Sequence, residues 1–494
     1  MTSKHMENHQ ELKKKTIFST LSLFFQSGYS AMLGFAANLV LTILLSPQIF
    51  GIYFTVLSII AILNYFSDIG LAASLIQKKE IEDREVMTVF TVQQILIITI
   101  VIIGFFASNL IVAFYKLPIE GKFLYQALLA SFFFSSLKTI PSIFLERKIQ
   151  FQKIVIVQVV ENTIFYLSVI ILALAGWGLN SFTVAVILRS LIGVILIYKI
   201  SFWKPVIGID INVLKKLLSF GVPFQMSSFL ALVKDDLLTL YLGKVLGFQA
   251  LGYIGWAKKW AESPIRIIMD SLSRVLFPLF SRFQNEKDRL SRLIEKIIYY
   301  QSVLIIPATL GLALIMGKMV QLIPRYSKWE SALPLFYLFC LSSILSSYST
   351  PFMNLLNGLG KVKISFYFMV GWTALTWILT PILTKLYGVY GFPLTLVILS
   401  SSFILVQQQA KKIVAFSFLK NILPFLFSGI VMGLFVFLLN QFTVSLPFLL
   451  ISIFGGIIVY ITLLKIFFKI DLVGEAKTIF SLSRGPRSGE TQII

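Results

Sequence analysis

The sequence is poor in the residues on which most soluble enzymes depend. It contains one cysteine, Cys340, which excludes an internal disulfide and a cysteine-rich metal site. Its two histidines, His5 and His9, lie in the polar N-terminal tail. A histidine-based metal site or a Ser-His-Asp triad is therefore excluded from the body of the chain. We expect no catalytic residues and no metal.

Nucleotide-binding motifs and long loops are missing as well. The sequence has no P-loop and no glycine-rich phosphate-binding unit, which argues against ATP-driven transport by this chain alone. A lipid-embedded glycosyltransferase normally has a sizeable outer loop, and the sequence leaves no room for one. We therefore expect a protein that is not an enzyme and that binds no cofactor.

Charge is scarce, and apolar residues take its place. Only 13% of the 494 residues are charged and 57% are hydrophobic, against about 25% and about 45–50% in soluble domains. A spanning segment needs about 20 mostly apolar residues and must be a helix in lipid. The sequence predicts an all-α polytopic membrane protein with about fourteen transmembrane helices, at residues 16–45, 48–76, 86–115, 123–145, 154–175, 180–201, 216–242, 248–281, 293–317, 330–357, 364–386, 389–410, 420–441 and 446–468.

The net charge of +21 has a topological explanation. With the N-terminus inside, 29 of the 43 lysines and arginines fall in inner segments and 7 in outer loops. This bias follows the positive-inside rule and favours contact with anionic lipid over nucleic-acid binding. No small-x-small cleavage site follows the lysines at 13–15. We expect a multi-pass protein of the cytoplasmic (inner) membrane with both termini in the cytoplasm.

Two segments resemble each other at a distance of 201 residues. Residues 44–53 (LLSPQIFGIY) join predicted helices 1 and 2, and residues 245–254 (VLGFQALGYI) join predicted helices 7 and 8. Six helices separate them, so the halves share one orientation, as in many secondary transporters. The sequence predicts two six-helix lobes related by a pseudo-two-fold axis along the membrane normal, plus two C-terminal helices. The predicted parts are a tail (1–15), an N-lobe (16–201), a connector (202–215), a C-lobe (216–410), helices 13 and 14 (411–468) and a tail (469–494).

Predicted helix 8 carries five charged residues of alternating sign at four-residue intervals, which we call the charge ladder: Lys258, Glu262, Arg266, Asp270 and Arg274. Residues at this spacing share one helix face, so the ladder forms a stripe about 24 Å long. Such a stripe lines a water-filled cavity or, alternatively, pairs with itself to tighten helix packing. The first interpretation, together with Lys259, gives a surplus of cations that suits a phosphate or pyrophosphate group. The substrate-binding candidates here are Lys258, Lys259, Arg266 and Arg274.

Acids inside the predicted membrane region are candidates for coupling to an ion. Predicted helix 7 contains Lys234-Asp235-Asp236, and adjacent residues point about 100° apart. Lys234, also a substrate-binding candidate, can therefore pair with only part of the cluster. An unpaired buried carboxylate readily takes a proton or a cation, although a simple salt bridge is the alternative. The candidates for proton or sodium coupling are Asp68, Asp235, Asp236, Glu262 and Asp270.

Predicted helix 1 has an uncharged stripe of polar and small residues at the same spacing: Ser22, Gln26, Ser30, Gly34 and Asn38. Close helix packing explains such a stripe as well as solvation in a cavity does. Gln26 and Asn38 are therefore substrate-binding candidates, with helix packing as the alternative. For the isolated cations Lys138 and Arg189 we expect structural pairing, Arg189 with Glu161.

Short motifs along the chain resemble one transporter family. They are Phe50–Tyr53 (FGIY), Phe66–Leu71 (FSDIGL), Leu75–Glu80 (LIQKKE), Arg147 with Phe151, Phe220–Pro223 (FGVP) and Leu251–Tyr253 (LGY). Together they resemble the polysaccharide-exporter branch of the multidrug/oligosaccharidyl-lipid/polysaccharide flippases, especially Wzx-type and colanic or teichuronic acid exporters. The resemblance covers essentially the whole chain.

This resemblance implies a central cavity lined by helices 1, 2, 7 and 8. It also implies alternating access and movement of an undecaprenyl-diphosphate-linked oligosaccharide from the inner to the outer leaflet. The partners would be this substrate, membrane lipids, and a polysaccharide polymerase with its assembly proteins. The acids of helices 7 and 8 depart from a simply cationic cavity. A cation-coupled multidrug antiporter and a non-transporting scaffold of a glycan assembly complex are the alternatives.

Overall fold

A computed structural model describes residues 2–78, 80–442, 445–472 and 474–475. All regular secondary structure in these ranges is helical. The chain packs as two compact units, Met1–Gly255 (the first unit) and Trp256–Ile494 (the second unit). The all-helical fold class predicted from the sequence is therefore confirmed.

The first unit holds the helices that correspond to predicted helices 1–7. They are α1 (Thr2–Leu44), α2 (Pro47–Asp68), α3 (Leu71–Gln77), α4 (Asp83–Phe106), α5 (Ser108–Tyr115), α6 (Ile119–Leu137), α7 (Thr139–Arg147), α8 (Phe151–Leu174), α9 (Asn180–Ile200), α10 (Ile211–Leu232), a π-helix (Val233–Leu237) and α11 (Leu238–Leu246). Helix α1 packs on α8, α8 on α9, α9 on α6, and α6 on α2 and α4. Helix α10 packs on α3, and α11 packs on α2.

Helix α12 (Phe248–Arg282) begins in the first unit and continues into the second. The second unit then contains α13 (Lys287–Leu322), a 3₁₀ helix (Ser327–Ala332), α14 (Leu333–Ser347), α15 (Ser349–Gly358), α16 (Val362–Tyr387), a 3₁₀ helix (Gly388–Tyr390), α17 (Gly391–Ser401), α18 (Phe403–Lys411), a 3₁₀ helix (Leu419–Asn421), α19 (Leu423–Gln441) and α20 (Leu446–Phe468). Its core joins α13, α15, α18, α19 and α20 around Phe352, Phe425 and Leu464.

Eleven helical stretches among the described residues are long and apolar enough to cross a membrane. One of them, residues 362–411, covers two predicted helices, whereas predicted helices 7 and 8 are not among the eleven. Predicted helices 7 and 8 are the ones that contain the Lys234-Asp235-Asp236 cluster and the charge ladder. The chain is thus a multi-pass membrane protein, and the count of fourteen stays a prediction.

The helix ends follow the local sequence. Proline occupies the first turn of α2, α14, α19 and α20, where its missing N–H needs no partner. Predicted helix 2 divides into α2 and α3 because Ile69 and Gly70 both adopt left-handed conformations, with φ of 48° and 75°. This sharp turn redirects α3 towards α10.

Candidate functional site

The two similar segments contact each other reciprocally within the first unit. A Cβ atom on Gly51 would lie 1.8 Å from the carbonyl oxygen of Phe248. A Cβ atom on Gly252 would lie 1.9 Å from the carbonyl oxygen of Pro47. Residues 47 and 248, like 51 and 252, are 201 apart, so the contact has the symmetry that the repeat predicts. Only glycine allows backbones to approach this closely. We call these four residues the outer contact, after its predicted side of the membrane.

A second glycine pair closes the opposite end of α2. A Cβ atom on Gly70 would lie 2.1 Å from the carbonyl oxygen of Gly221 on α10. A Cβ atom on Gly221 would lie 2.8 Å from the carbonyl oxygens of both Ile69 and Gly70. The left-handed turn at residues 69 and 70 therefore lies directly against the α10 backbone.

Hydrogen bonds flank this glycine pair on both sides. The Ser74 hydroxyl donates to the carbonyl oxygen of Leu217 at 2.9 Å. The Tyr65 hydroxyl donates to the carbonyl oxygen of Gln225 at 3.1 Å, and the Gln225 amide donates to the carbonyl oxygen of Tyr65 at 3.0 Å. The three α10 residues, 217, 221 and 225, share one helix face because they are four residues apart. Together with Tyr65, Gly70 and Ser74 they form what we call the inner contact.

A cavity of about 580 Å³, the polar cavity, lies beside Tyr65 and Gln225 of the inner contact. It is bounded by α2, α3, α4, α6, α7, α10 and the π-helix. Its polar lining consists of Asn64, Tyr65, Ser67, Gln93, Ser135, Ser136, Thr139, Gln225, Asp235 and Asp236. A volume of several hundred Å³ is typical of small-molecule sites, so the cavity has room for a hydrated polar group.

Both acids of the Lys234-Asp235-Asp236 cluster line the polar cavity. The cluster occupies the π-helix, a local distortion that is frequent at functional sites. The Ser58 hydroxyl hydrogen-bonds to Asp236. Neither carboxylate forms an ion pair with a described lysine or arginine, so the salt-bridge alternative is not what the structure shows.

The polar cavity has a chemistry that suits a small cation. Among the described residues no three histidine, cysteine or acidic side chains gather as a metal site. Two carboxylates beside hydroxyl and amide oxygens instead resemble the oxygen-rich surroundings that hard cations prefer. Asp235 and Asp236 therefore remain the candidates for coupling, while the side chain of Asp68 lies outside the described residues.

Gln93 is a polar-cavity residue that the sequence analysis missed. Its side chain is buried, and its amide donates to the Thr139 hydroxyl at 3.4 Å. Its Oε1 atom has no hydrogen-bond partner. A buried acceptor of this kind calls for a donor from water or a bound molecule. The sequence feature that could have indicated Gln93 is the Gln93-Gln94 pair, which interrupts the apolar part of this helix.

The charge ladder of α12 pairs with itself over its described part. Glu262 lies 3.9 Å from the Lys258 ammonium and 3.0 Å from the Arg266 guanidinium. Lys258 also lies 5.7 Å from the centroid of the Phe392 ring. The Arg266 side chain is 71% exposed. The side chains of two further candidates, Asp270 and Arg274, lie outside the described residues.

An aromatic cluster fixes this part of α12 within the second unit. The Trp256 ring stacks on Trp329 with centroids 5.2 Å apart, and its indole N–H donates to the Tyr326 hydroxyl at 3.1 Å. Trp260, one turn on, is also buried. Lys258 lies about 200° around the helix from Trp256, so the buried aromatic face sets the direction of the ladder.

The uncharged stripe of α1 lies at a helix contact. The Gln26 amide donates to the side-chain oxygen of Gln158 on α8. One turn further, the Asn162 amide donates to the Ser30 hydroxyl at 3.2 Å. Asn38 is buried. This arrangement accounts for the stripe as a helix-packing surface, and substrate binding by Gln26 and Asn38 stays a prediction.

The pairing expected for Arg189 is wrong. Glu161 forms its ion pair with Lys138 instead, the residue that caps the C-terminal end of α6. The Arg189 guanidinium lies over the Phe165 ring, 5.6 Å from its centroid. Arg189 has no carboxylate partner among the described residues.

A second, apolar cavity of about 370 Å³ lies between α13, α19 and α20. Its lining includes Pro307, Gly311, Val436, Ile457 and Tyr460. Apolar walls of this kind accept a hydrocarbon chain and exclude a glycan. We call it the apolar cavity.

Comparisons with known proteins agree on one family. The family described as "Polysaccharide biosynthesis protein" matches residues 40–334, more than half of the chain. The lipopolysaccharide biosynthesis protein WzxC of Escherichia coli (strain K12) is 26% identical over 430 residues, 86% of this chain and 84% of WzxC. The succinoglycan biosynthesis transport protein ExoT of Rhizobium meliloti (strain 1021) is 21% identical over 328 residues, 66% of each chain.

The fold has a solved counterpart. A structure of the lipid II flippase MurJ in an inward closed conformation matches with a TM-score of 0.73 and 18% identity. The match covers 92% of this chain and 100% of that one. Both the family expected from the short motifs and the fold are thereby confirmed. The chain belongs to the polysaccharide biosynthesis protein family.

Proposed function

We propose that this protein translocates an undecaprenyl-diphosphate-linked oligosaccharide across the cytoplasmic membrane by alternating access, for surface polysaccharide biosynthesis. Both termini would lie in the cytoplasm, as the charge asymmetry of the loops indicates. The protein would act beside a polysaccharide polymerase and assembly proteins. Named relatives in polysaccharide biosynthesis and transport support this assignment.

The observation that carries the proposal is the polar cavity together with the two contacts along α2. Gly70 and Gly221 hold one end of α2 against α10, and Gly51 and Gly252 hold the other end at the start of α12. Alternating access requires that one of these contacts opens while the other stays closed. Each contact is built on a close backbone approach at glycine.

In this proposal Lys258, Lys259, Arg266 and Arg274 hold the diphosphate and any acidic sugars. Arg266 is the most accessible of the described ladder side chains, and a guanidinium can hold a phosphate in a bidentate manner. The prenyl chain stays in an apolar phase, and the apolar cavity beside α19 and α20 offers one.

A flipping assay in vesicles tests these assignments. Neutral replacements, each to glutamine, at the four cations are expected to lower the flipping rate of the lipid-linked substrate. Lys385→Gln, at an exposed lysine in the last turn of α16, is the matched control. Unchanged flipping in all four variants would remove the assignment.

A proton or sodium ion would couple through Asp235 and Asp236. Their position in the polar cavity without a described cationic partner supports this role. A bound cation can drive the conformational change only if it binds one state more tightly than the other. Flipping that responds equally to an imposed gradient in wild type and in an Asp235→Asn, Asp236→Asn double variant would refute the coupling.

One observation favours a second candidate function, a cation-coupled multidrug antiporter. Carboxylates that form no ion pair with a described lysine or arginine, in a cavity of about 580 Å³, also suit a cationic drug. Drug-resistance profiling of a deletion strain distinguishes the two. Loss of surface glycan with unchanged drug sensitivity supports the flippase, and the opposite phenotype supports the antiporter.

A further inference from the structure

The first unit contains a second polar space, distinct in its charge from the acidic polar cavity. It has a volume of about 200 Å³ and lies between α2, α6, α8 and α9. Lys138, Glu161 and Arg189 line it together with serine hydroxyls of α6 and α9. We call it the charged chamber.

Its three charged residues lie at one depth in the membrane. Glu161 is ten residues from Phe151, where α8 begins, and Arg189 is eleven residues from Ile200, where α9 ends. At about 1.5 Å per residue both lie about 15 Å from those ends. Lys138 pairs with Glu161 and therefore shares this depth. That depth is the middle of a hydrocarbon layer about 30 Å thick.

The charges in the chamber do not balance. Lys138 and Glu161 neutralise each other as an ion pair. Arg189 adds a positive charge that lies over the face of the Phe165 ring and near Tyr53 and Tyr166, and its side chain is exposed. Among the described residues no carboxylate pairs with it. A lone cation at this depth is costly unless an anion compensates it.

The packing around Glu161 preserves this arrangement. A Cβ atom on Gly193 would lie 1.6 Å from Glu161 Oε1, so the glycine makes room for the carboxylate against α9. Glu161 is buried there and is held towards Lys138 on the α6 side. The fold thus keeps the one acid of the chamber engaged and leaves the Arg189 guanidinium available.

We propose that the charged chamber is a binding site for a small anion, held by Arg189 with help from Lys138 and the chamber hydroxyls. A volume of about 200 Å³ exceeds the share of one water several-fold. It accommodates a chloride ion with water or one phosphoryl group. The inference stands apart from the proposed function, since it follows from the charge balance of one unit.

Anion binding is measured on the purified full-length protein in detergent, free of lipid-linked substrate. Thermal unfolding is followed in sodium chloride, in sodium phosphate and in sodium gluconate at equal ionic strength. We expect a saturable rise of Tm with chloride or phosphate and none with gluconate. Binding of radiolabelled chloride gives the dissociation constant directly. Stabilisation by chloride identifies a free ion, and stabilisation by phosphate alone identifies a phosphoryl group.

Two variants of opposite effect test the assignment. Arg189→Gln leaves a neutral ion pair, so the dissociation constant for the anion is expected to rise at least about tenfold. Glu161→Gln leaves two cations, so the dissociation constant is expected to fall at least about tenfold, because a unit charge a few ångströms away changes the Coulomb energy of an anion substantially. Lys122→Gln, near the start of α6, where Lys122 donates to Asn109 outside the chamber, is the control and leaves the dissociation constant unchanged.

The gain in anion affinity expected for Glu161→Gln cannot come from misfolding, because misfolding only weakens binding. Absence of a chloride or phosphate effect on the wild type would overturn the proposal. An undiminished effect in Arg189→Gln, or a weaker effect in a folded Glu161→Gln, would overturn it as well.

Discussion

Replacing Gly221 with alanine is expected to open the predicted inner side of the polar cavity. The new Cβ atom would lie 2.8 Å from the carbonyl oxygens of Ile69 and Gly70. Ordinary contacts of a Cβ atom begin near 3.4 Å, so α10 and the turn after α2 have to separate by roughly half an ångström. The strain exists only while the inner contact is closed.

The size of the effect of Gly221→Ala on the conformational equilibrium follows from the energetic cost of overpacking the inner contact. Inserting one methyl group into a close-packed contact costs about 1–3 kcal/mol. Alanine also favours the helix over glycine by about 1 kcal/mol, but this benefit applies to every state in which α10 is helical. The equilibrium is therefore expected to shift towards the inward-open state by about 5–150-fold.

Thiol labelling measures this shift. Cys340 is the sole cysteine of the chain and is buried, so a Cys340→Ala background is silent. Asn64 lines the polar cavity and is exposed, which makes Asn64→Cys the reporter. In inverted membrane vesicles, a membrane-impermeant thiol reagent is expected to label the reporter faster when Gly221→Ala is present.

A matched glycine controls for the general effect of alanine. A Cβ atom on Gly371, in α16, would meet nothing within 4 Å, so Gly371→Ala is expected to leave the labelling rate unchanged. Gly252→Ala strains the outer contact instead and is expected to accelerate labelling in right-side-out vesicles. Unchanged or slower labelling in inverted vesicles with Gly221→Ala would show that the inner contact does not gate the cavity.

Three further outcomes are expected. Asp236→Asn is expected to reduce gradient-driven flipping at least about tenfold in a vesicle assay, whereas the control Glu120→Gln, in the first turn of α6, does not. Equal flipping rates in Asp236→Asn and wild type would contradict coupling through the polar cavity. Gly311→Leu adds an apolar side chain at the wall of the apolar cavity, at a position where a Cβ atom would meet nothing within 4 Å. It is expected to lower the flipping rate several-fold, whereas Gly371→Leu leaves the rate unchanged; an equal loss of flipping in both variants would point to a general packing effect. Arg266→Cys reacts with a water-soluble thiol reagent, and no labelling in either vesicle orientation would mean that the charge ladder borders no water.

The regular helices were predictable because hydropathy reports them directly. Helix α20 has the predicted bounds, 446–468. The interruptions were not predictable. Ile69 adopts a left-handed conformation that is rare for a β-branched residue, and the five residues of the π-helix show no periodicity of their own. Both are imposed by tertiary contacts, which a hydropathy window does not contain.

The site was predictable to the extent that it depends on helix faces. Four-residue spacing placed Lys258, Glu262 and Arg266 together, and the structure shows them in contact. The same reasoning failed for Arg189, because spacing along one helix does not say which helices are neighbours. The choice of Lys138 as the partner of Glu161 follows from the packing of α6 and α8 on the common neighbour α9, and only the three-dimensional arrangement gives this.

The outer contact restricts how the two similar segments can change in sequence. Two segments of one chain ordinarily vary independently. Here the glycine of each segment faces the backbone of the other, at 51 against 248 and at 252 against 47. A side chain gained in either segment meets main-chain atoms that no compensating substitution can remove. Positions 51 and 252 therefore both have to remain glycine as long as the two segments pack against each other.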